Sequence, residues 1–161
     1  MKHQIYMTAC ILLYGIFCLT GKAYSAKDLP FQIIVHAENP HKILDEKNLK
    51  KLFLKKTKSW PKFKKKVLPV DLPEKASVRE IFSKIVLGKN VTSVITYWQK
   101  QVFGARGDMP KTVSSDQKVI EYVAKSLGAI GYISSSSKVS DTKVKVIEVK
   151  LKKKTMNDLS W

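Results

Sequence analysis

The octapeptide LGAIGYIS, residues 127–134, decides how the rest of the chain is read. Its last six residues are of strand length and apolar from Ala129 to Ile133, with Gly128 in front and the serines of 134–137 closing the run. A run that is apolar at successive positions, and so on both faces of the pleat, reads as a fully buried strand. Just upstream, Val119, Ile120, Val123, Ala124 and Leu127 recur at helical spacing. Ser115 caps that helix and Gly128 is its expected stop. A helix leading directly into a buried strand is the unit from which layered α/β folds are built.

The same alternation continues in both directions. Downstream, VKVIEV at 144–149 is a further strand. Upstream, FQIIV at 31–35 is a buried strand broken by Asn39-Pro40, and Asp45 caps a helix with the stripe Leu49, Leu52, Phe53. TKSWPKF, 57–63, is a loop because Pro61 cannot continue a helix. KVLPVDL, 66–72, is a strand whose Pro69 implies an edge position or a strand start. Ser77, with Glu80 at capping-box spacing, opens a helix carrying Val78, Ile81, Phe82, Ile85 and Val86, and Gly88 ends it. Asn90 or Thr92 opens another, carrying Val94, Ile95, Trp98 and Val102. The expected fold class is therefore α/β, a small mixed or parallel sheet flanked by helices.

The chain has 161 residues, 30 basic and 13 acidic, for a formal charge of +17. Lys2, the apolar run 5–20 and the small residues of AYS at 23–25 have the form of a secretory signal peptide cleaved near Ser25. Export to the periplasm, or secretion, follows from that reading. Both cysteines, Cys10 and Cys18, lie within the leader, so the mature domain would have no disulfide and no thiolate chemistry. The expected division is a leader over 1–25, one domain over 26–150 and a polar tail over 151–161. With the leader removed, 28 basic side chains face 13 acidic ones, a charge of +15. The lysines are dispersed and not interleaved with aromatic residues, so a solvated basic surface is expected and nucleic acid is not.

Catalytic motifs are missing. The mature part holds His36 and His41 alone, with no spacing that proposes a metal site, and no phosphate loop or nucleophile elbow. No metal, cofactor or enzymatic activity is expected. Anion capture is better supported, because a helix N-terminus offers unpaired N–H groups and partial positive charge. Two such mouths are candidates, one at Ser77 and Arg79 and one at Ser114 and Ser115.

Several segments, in order, resemble the substrate-binding proteins of phosphate ABC transporters. These are LDEKNLKKLFLKKTKSWP (44–61), VLPVDLPEKASVREIFSKIVLG (67–88), FGARGDMP (103–110) and LGAIGYIS, of which Gly128-Ala129-Ile130-Gly131-Tyr132 is the most specific. The resemblance covers about 90 residues and implies a single periplasmic-binding-protein-like lobe that takes phosphate or a similar oxyanion. On it, Arg106-Gly107-Asp108 is a glycine-rich connection near the ligand cleft and not an adhesive tag, with Arg106 and Gly107 as ligand candidates. Asp71 matches the family's acid, while Ser77 and Arg79 stand in for the ligand groups of its turn. Glu74-Lys75-Ala76-Ser77 replaces the Gly-Ser-Gly-Thr of the full-length binders, and the first lobe has no counterpart. The implied partners are an ABC permease or envelope protein, or a second copy completing the cleft. The alternative is a non-transport interaction module that keeps the fold without the ligand site.

Overall fold

The first strand, β1 (Phe31–His36), is buried on both faces because it lies inside a six-stranded sheet between β5 (Ala129–Ser134) and β6 (Val144–Lys150). It runs antiparallel to both, with Ile34 opposite Gly131 on one side and Val146 on the other. The computed structural model describes residues 29–151. The expected leader, its two cysteines and residues 152–161 of the expected tail lie outside them.

The remaining strands are β2 (Ile43–Asp45), β3 (Leu68–Asp71) and β4 (Lys111–Thr112), and the sheet order is β2-β6-β1-β5-β3-β4. β2 is parallel to β6, and β3 is parallel to both β5 and β4. The sheet is therefore mixed, one of the two arrangements, mixed or parallel, expected from the alternation of strands and helices. The two shortest strands, β2 and β4, carry no sequence signal: at three and two residues they exist because a neighbour supplies the ladder.

Pro69 is not on an edge strand, since β3 is flanked on both sides. Leu68 N–H donates to Gly128 O (3.0 Å), so at Pro69 the missing donor falls on the opposite side, toward β4. β4 begins one residue later, opposite Val70, and no ladder bond is lost.

Helices cover both faces. α4 (Asp116–Ala124) packs over β5 and β1, and a β-carbon on Gly131 would meet Val119 and Val123 of that helix. The opposite face receives α1 (Glu46–Phe53), α2 (Ser77–Phe82) with its π-helical continuation Ser83–Leu87, and α3 (Val91–Phe103). Aromatic rings centre this layer: Phe82 stacks on Tyr132 at 4.0 Å between centroids and meets Phe53 and Phe31 at 4.6 and 5.4 Å. Gly88, at φ +62°, takes the left-handed turn that stops the π segment, as expected. Gly128 does something else. α4 is capped at Lys125, and Gly128 is needed because the backbone of Lys66 passes against it.

Candidate functional site

β3 ends in Asp71, and a five-residue connection, 72–76, closed by Ala76 N–H to Pro73 O (2.9 Å), leads into α2 at Ser77. Arg79, on the first turn of α2, points back toward the sheet and is buried. Its Nη2 meets Asp71 Oδ2 at 2.9 Å, with the two side chains 5% and 13% exposed, and its Nη1 donates to Leu72 O at 2.5 Å. The Asp71 carboxylate also accepts from Leu72 N–H (2.9 Å) and from the Tyr132 hydroxyl. Arg79 Nε has no partner. Asp71 and Arg79 are thus occupied with each other and with the turn, which leaves little of either charge for a ligand.

The electrostatics follow from this burial. Desolvation pushes the Asp71 carboxyl above its ordinary range, against the pull of Arg79, the Tyr132 hydroxyl and the Leu72 amide. Burial, and then the adjacent Asp71 charge, raise the Tyr132 phenol far above the usual tyrosine value. A group whose pKa is raised on folding contributes stability that is complete below its unfolded value and drains as pH rises. The Tyr132 contribution is therefore whole below about pH 10 and lost above it. Tyr132→Phe is expected to lower stability at neutral pH by about 1–3 kcal/mol and to flatten the alkaline limb of the stability profile. Urea titrations at neutral and alkaline pH check this; parallel profiles for the two proteins would refute it.

The mouth of α2 differs from the sequence expectation by one residue. Ala76, not Ser77, is the N-cap, and it makes no side-chain capping bond; Ser77 is the first helical residue and is exposed. The capping box fails because Ser77 already has helical geometry, while Glu80 pairs with Lys84 at 2.9 Å. By contrast Asp45, Asn90 and Ser115 cap α1, α3 and α4 with their side chains. At α4, Ser115 accepts from Lys118 N–H (3.4 Å), and Asp116 adds a carboxylate that takes Ser134 N–H (2.9 Å) and the Ser137 hydroxyl (2.6 Å). An internal acid thus already answers the dipole of α4. Ser114 is exposed and lines a cleft of about 310 Å³ with Lys111, Lys118 and Tyr122.

Two groups of candidates result. Asp71 ends β3, Val113 N–H donates to Asp71 O (3.0 Å), and Ser77, Arg79, Ser114 and Ser115 follow the carboxyl ends of the adjacent parallel strands β3 and β4. That is the end of an open α/β sheet where ligands usually sit. Arg106 and Gly107 are not there. They share a cleft of about 220 Å³ with Lys66 and Val67, which precede β3, so the length of β3, roughly 10 Å, separates the two groups.

Tyr132 and the Leu72 carbonyl, both central to the Asp71–Arg79 cluster, went unread in the sequence as polar groups. The signal for Tyr132 was an aromatic hydroxyl in an otherwise apolar strand, which needs a partner when buried. His41 is tied to Asn39 Oδ1 (2.9 Å) and lies beside Trp60, and no group of three or more acid, histidine or cysteine side chains able to hold a metal occurs among the described residues. No helix among them is long and apolar enough to cross a membrane.

No family profile matches the chain, and no curated protein does so by sequence. Solved structures do. An ABC-type phosphate transport receptor from Vibrio cholerae superposes with TM-score 0.58 at 19% identity, over 74% of this chain and 46% of that one. A putative phosphate ABC transporter substrate-binding protein with bound phosphate from Clostridium perfringens gives 0.59 at 21%, over 74% and 44%. PstS from Borrelia burgdorferi gives 0.56 at 14%, over 74% and 47%. At these identities the likeness is one of fold, and the chain spans less than half the length of the structures it matches.

Proposed function

We propose, from a fold shared with part of the phosphate ABC transporter substrate-binding proteins, that this chain is a single-lobe solute-binding module. It takes phosphate or a similar oxyanion at the carboxyl end of β3, where α2 begins. One observation carries the reading: α2 opens without a side-chain cap, next to an exposed Ser77 hydroxyl and Lys75. The first-turn amides of a helix have no intrahelical acceptor, so an anion can receive them. Arg79 acts here as a positioning residue, tying the first turn of α2 to β3 through Asp71 and Leu72 O. The structural relatives from Vibrio cholerae and Clostridium perfringens are described as phosphate ABC transport proteins, which supports the ligand class and a permease as partner. The apolar run 5–20 followed by AYS supports export. A half-site leaves the anion partly solvated, so binding by the isolated chain is weak, with Kd of about 1 mM or −4.1 kcal/mol.

Calorimetry with inorganic phosphate tests this. Ala76→Asp is the informative variant, because a carboxylate at the cap position takes the same amides. It is expected to abolish phosphate binding while stabilising the fold by about 0.5–2 kcal/mol. Ser77→Ala is expected to weaken binding with little change in stability. No heat from wild type at about ten times that Kd, or binding that survives Ala76→Asp, would rule the reading out.

A further inference from the structure

We propose that the surface at the opposite end of β3, built from Phe103 and the loop 104–110 with its adjoining basic cleft, docks an acidic segment of a partner protein that has an apolar pocket for Phe103. The inference is independent of the oxyanion reading. Phe103, the last residue of α3, is 89% exposed, and Val102 and Met109 beside it are 48% and 44% exposed. Single exposed apolar residues are ordinary, but three large ones fall within the eight positions 102–109, and apolar area gathered on one short segment costs free energy until it is covered. An aromatic and a methionine together with arginine is also the composition enriched in the cores of protein–protein interfaces.

The loop is held in place. Arg106 N–H donates to Gln101 O (2.9 Å) and Ala105 N–H to Val102 O (3.0 Å), folding the loop back on the helix end. Lys55 Nζ donates to the carbonyls of Asp108 (2.9 Å) and Met109 (3.3 Å). Lys55 and Ala105 both hold left-handed φ angles, 50° and 51°, without being glycine. Such strain persists where surroundings over-determine it and is concentrated at binding surfaces. A surface already ordered loses little entropy on docking.

Charge selects the occupant. Lys55, Lys58, Lys66 and Arg106 line the cleft of about 220 Å³, with Asp108 as the carboxylate among the lining residues. Burial pulls the Lys55 ammonium below the ordinary lysine range, Asp108 opposes this and Lys66 adds to it. An incoming carboxylate relieves that burial cost. A second copy would set four cations against four across a two-fold contact, so this face does not suit self-association. A lipid surface is flat and leaves a concave cleft unfilled. An acidic polypeptide fills the cleft with side-chain carboxylates and covers Phe103 at once.

The experiment places a photo-crosslinking benzoylphenylalanine at position 103 of the full chain in its native host and maps the crosslinked peptide by mass spectrometry. One protein, joined through a segment of net negative charge, is expected. The double variant Lys58→Glu, Arg106→Glu should cut the yield about tenfold, as should raising salt to about 0.5 M. Lys138→Glu, an equal charge change per site beyond the carboxyl end of β5 and so at the opposite end of the sheet from the cleft, and Ser77→Ala should leave it unchanged. Thermal melts of the crosslinker variant should match wild type, because position 103 is solvated. No adduct, an adduct to lipid, to a second copy or to a neutral or basic segment, or one indifferent to the double variant, overturns the proposal.

Discussion

Gly128→Ala is expected to destabilise the fold by about 3 kcal/mol or more, at or beyond the top of the range for overpacked interiors. A β-carbon at 128 would lie 1.9 Å from Lys66 O and 3.1 Å from Lys66 C, and those atoms are backbone. They cannot rotate aside, so the chain entering β3 must move away from β5. That movement strains two bonds to the Gly128 carbonyl, from Leu68 N–H (3.0 Å) and from Trp60 Nε1–H (2.9 Å). Gly131→Ala meets Val119 Cγ1 at 2.4 Å and Val70 Cγ1 at 2.9 Å, side-chain atoms on stiff β-branched residues, and should cost about 1–3 kcal/mol. Thermal melts followed by tryptophan emission provide the measurement, since Trp60 is buried on the Gly128 carbonyl. A loss of 3 kcal/mol lowers Tm by roughly 10 °C in a domain of this size. A Gly128→Ala protein melting within about 2 °C of wild type would contradict the packing described.

Arg79→Ala is expected to be similarly severe, at about 3–5 kcal/mol, because it leaves the Asp71 carboxylate buried without its counter-charge. Asp71→Ala should cost a comparable amount from the other side, stranding the guanidinium. Removing both charges together recovers part of that loss. Burial alone already pushes Asp71 toward its neutral form despite Arg79, so the pair returns less than it cost to desolvate. Asp71→Leu with Arg79→Met should therefore cost less than either single variant, the remaining loss being that of the stranded Tyr132 hydroxyl and Leu72 amide, about 1–3 kcal/mol. Urea unfolding of both singles and the double closes the cycle, and additive losses in the double would contradict this account. The pH dependence has a definite sign as well. With its folded pKa raised, Asp71 contributes most below the ordinary carboxylate range and progressively less as pH climbs through the raised value. Wild type should lose this increment as pH rises above the ordinary carboxylate range, relative to the double variant.

Much of the architecture was legible because burial imposes a period. LGAIGYIS, FQIIV and the stripe Leu49, Leu52, Phe53 announce a strand, a strand and a helix, and the structure has them there. The caps Asp45, Asn90 and Ser115 were readable for a local reason: each side chain bonds an amide three residues on. Ser77 obeyed the same pattern and was misplaced by one residue, because the turn closed by Pro73 O starts the helix at that serine. Val102 fits the apolar stripe of α3 yet is exposed, since periodicity says which face a residue occupies and not how far the neighbouring layer extends. β2 and β4 had no pattern to read, being too short to have one.

The candidate site divides along the same line. The residue types at positions 71, 77 and 79, and at 106–107, were visible as an anion-binding vocabulary. Their grouping depended on which strand lies beside which. Asp71 and Arg79 spend their charges on one another because a turn of five residues brings the start of α2 over the end of β3, with Tyr132 arriving from the adjacent strand. Arg106 joins Lys55, Lys58 and Lys66 instead, at the other end of β3. The linear chain thus specified its own segments, since helix and strand periods, caps and apolar runs are properties of neighbours in sequence. Only the tertiary structure decided which charges are consumed internally and which face water. That outcome depends on sheet order and on backbone contacts such as Gly128 against Lys66, formed between residues far apart in the chain, about which no local pattern carries information.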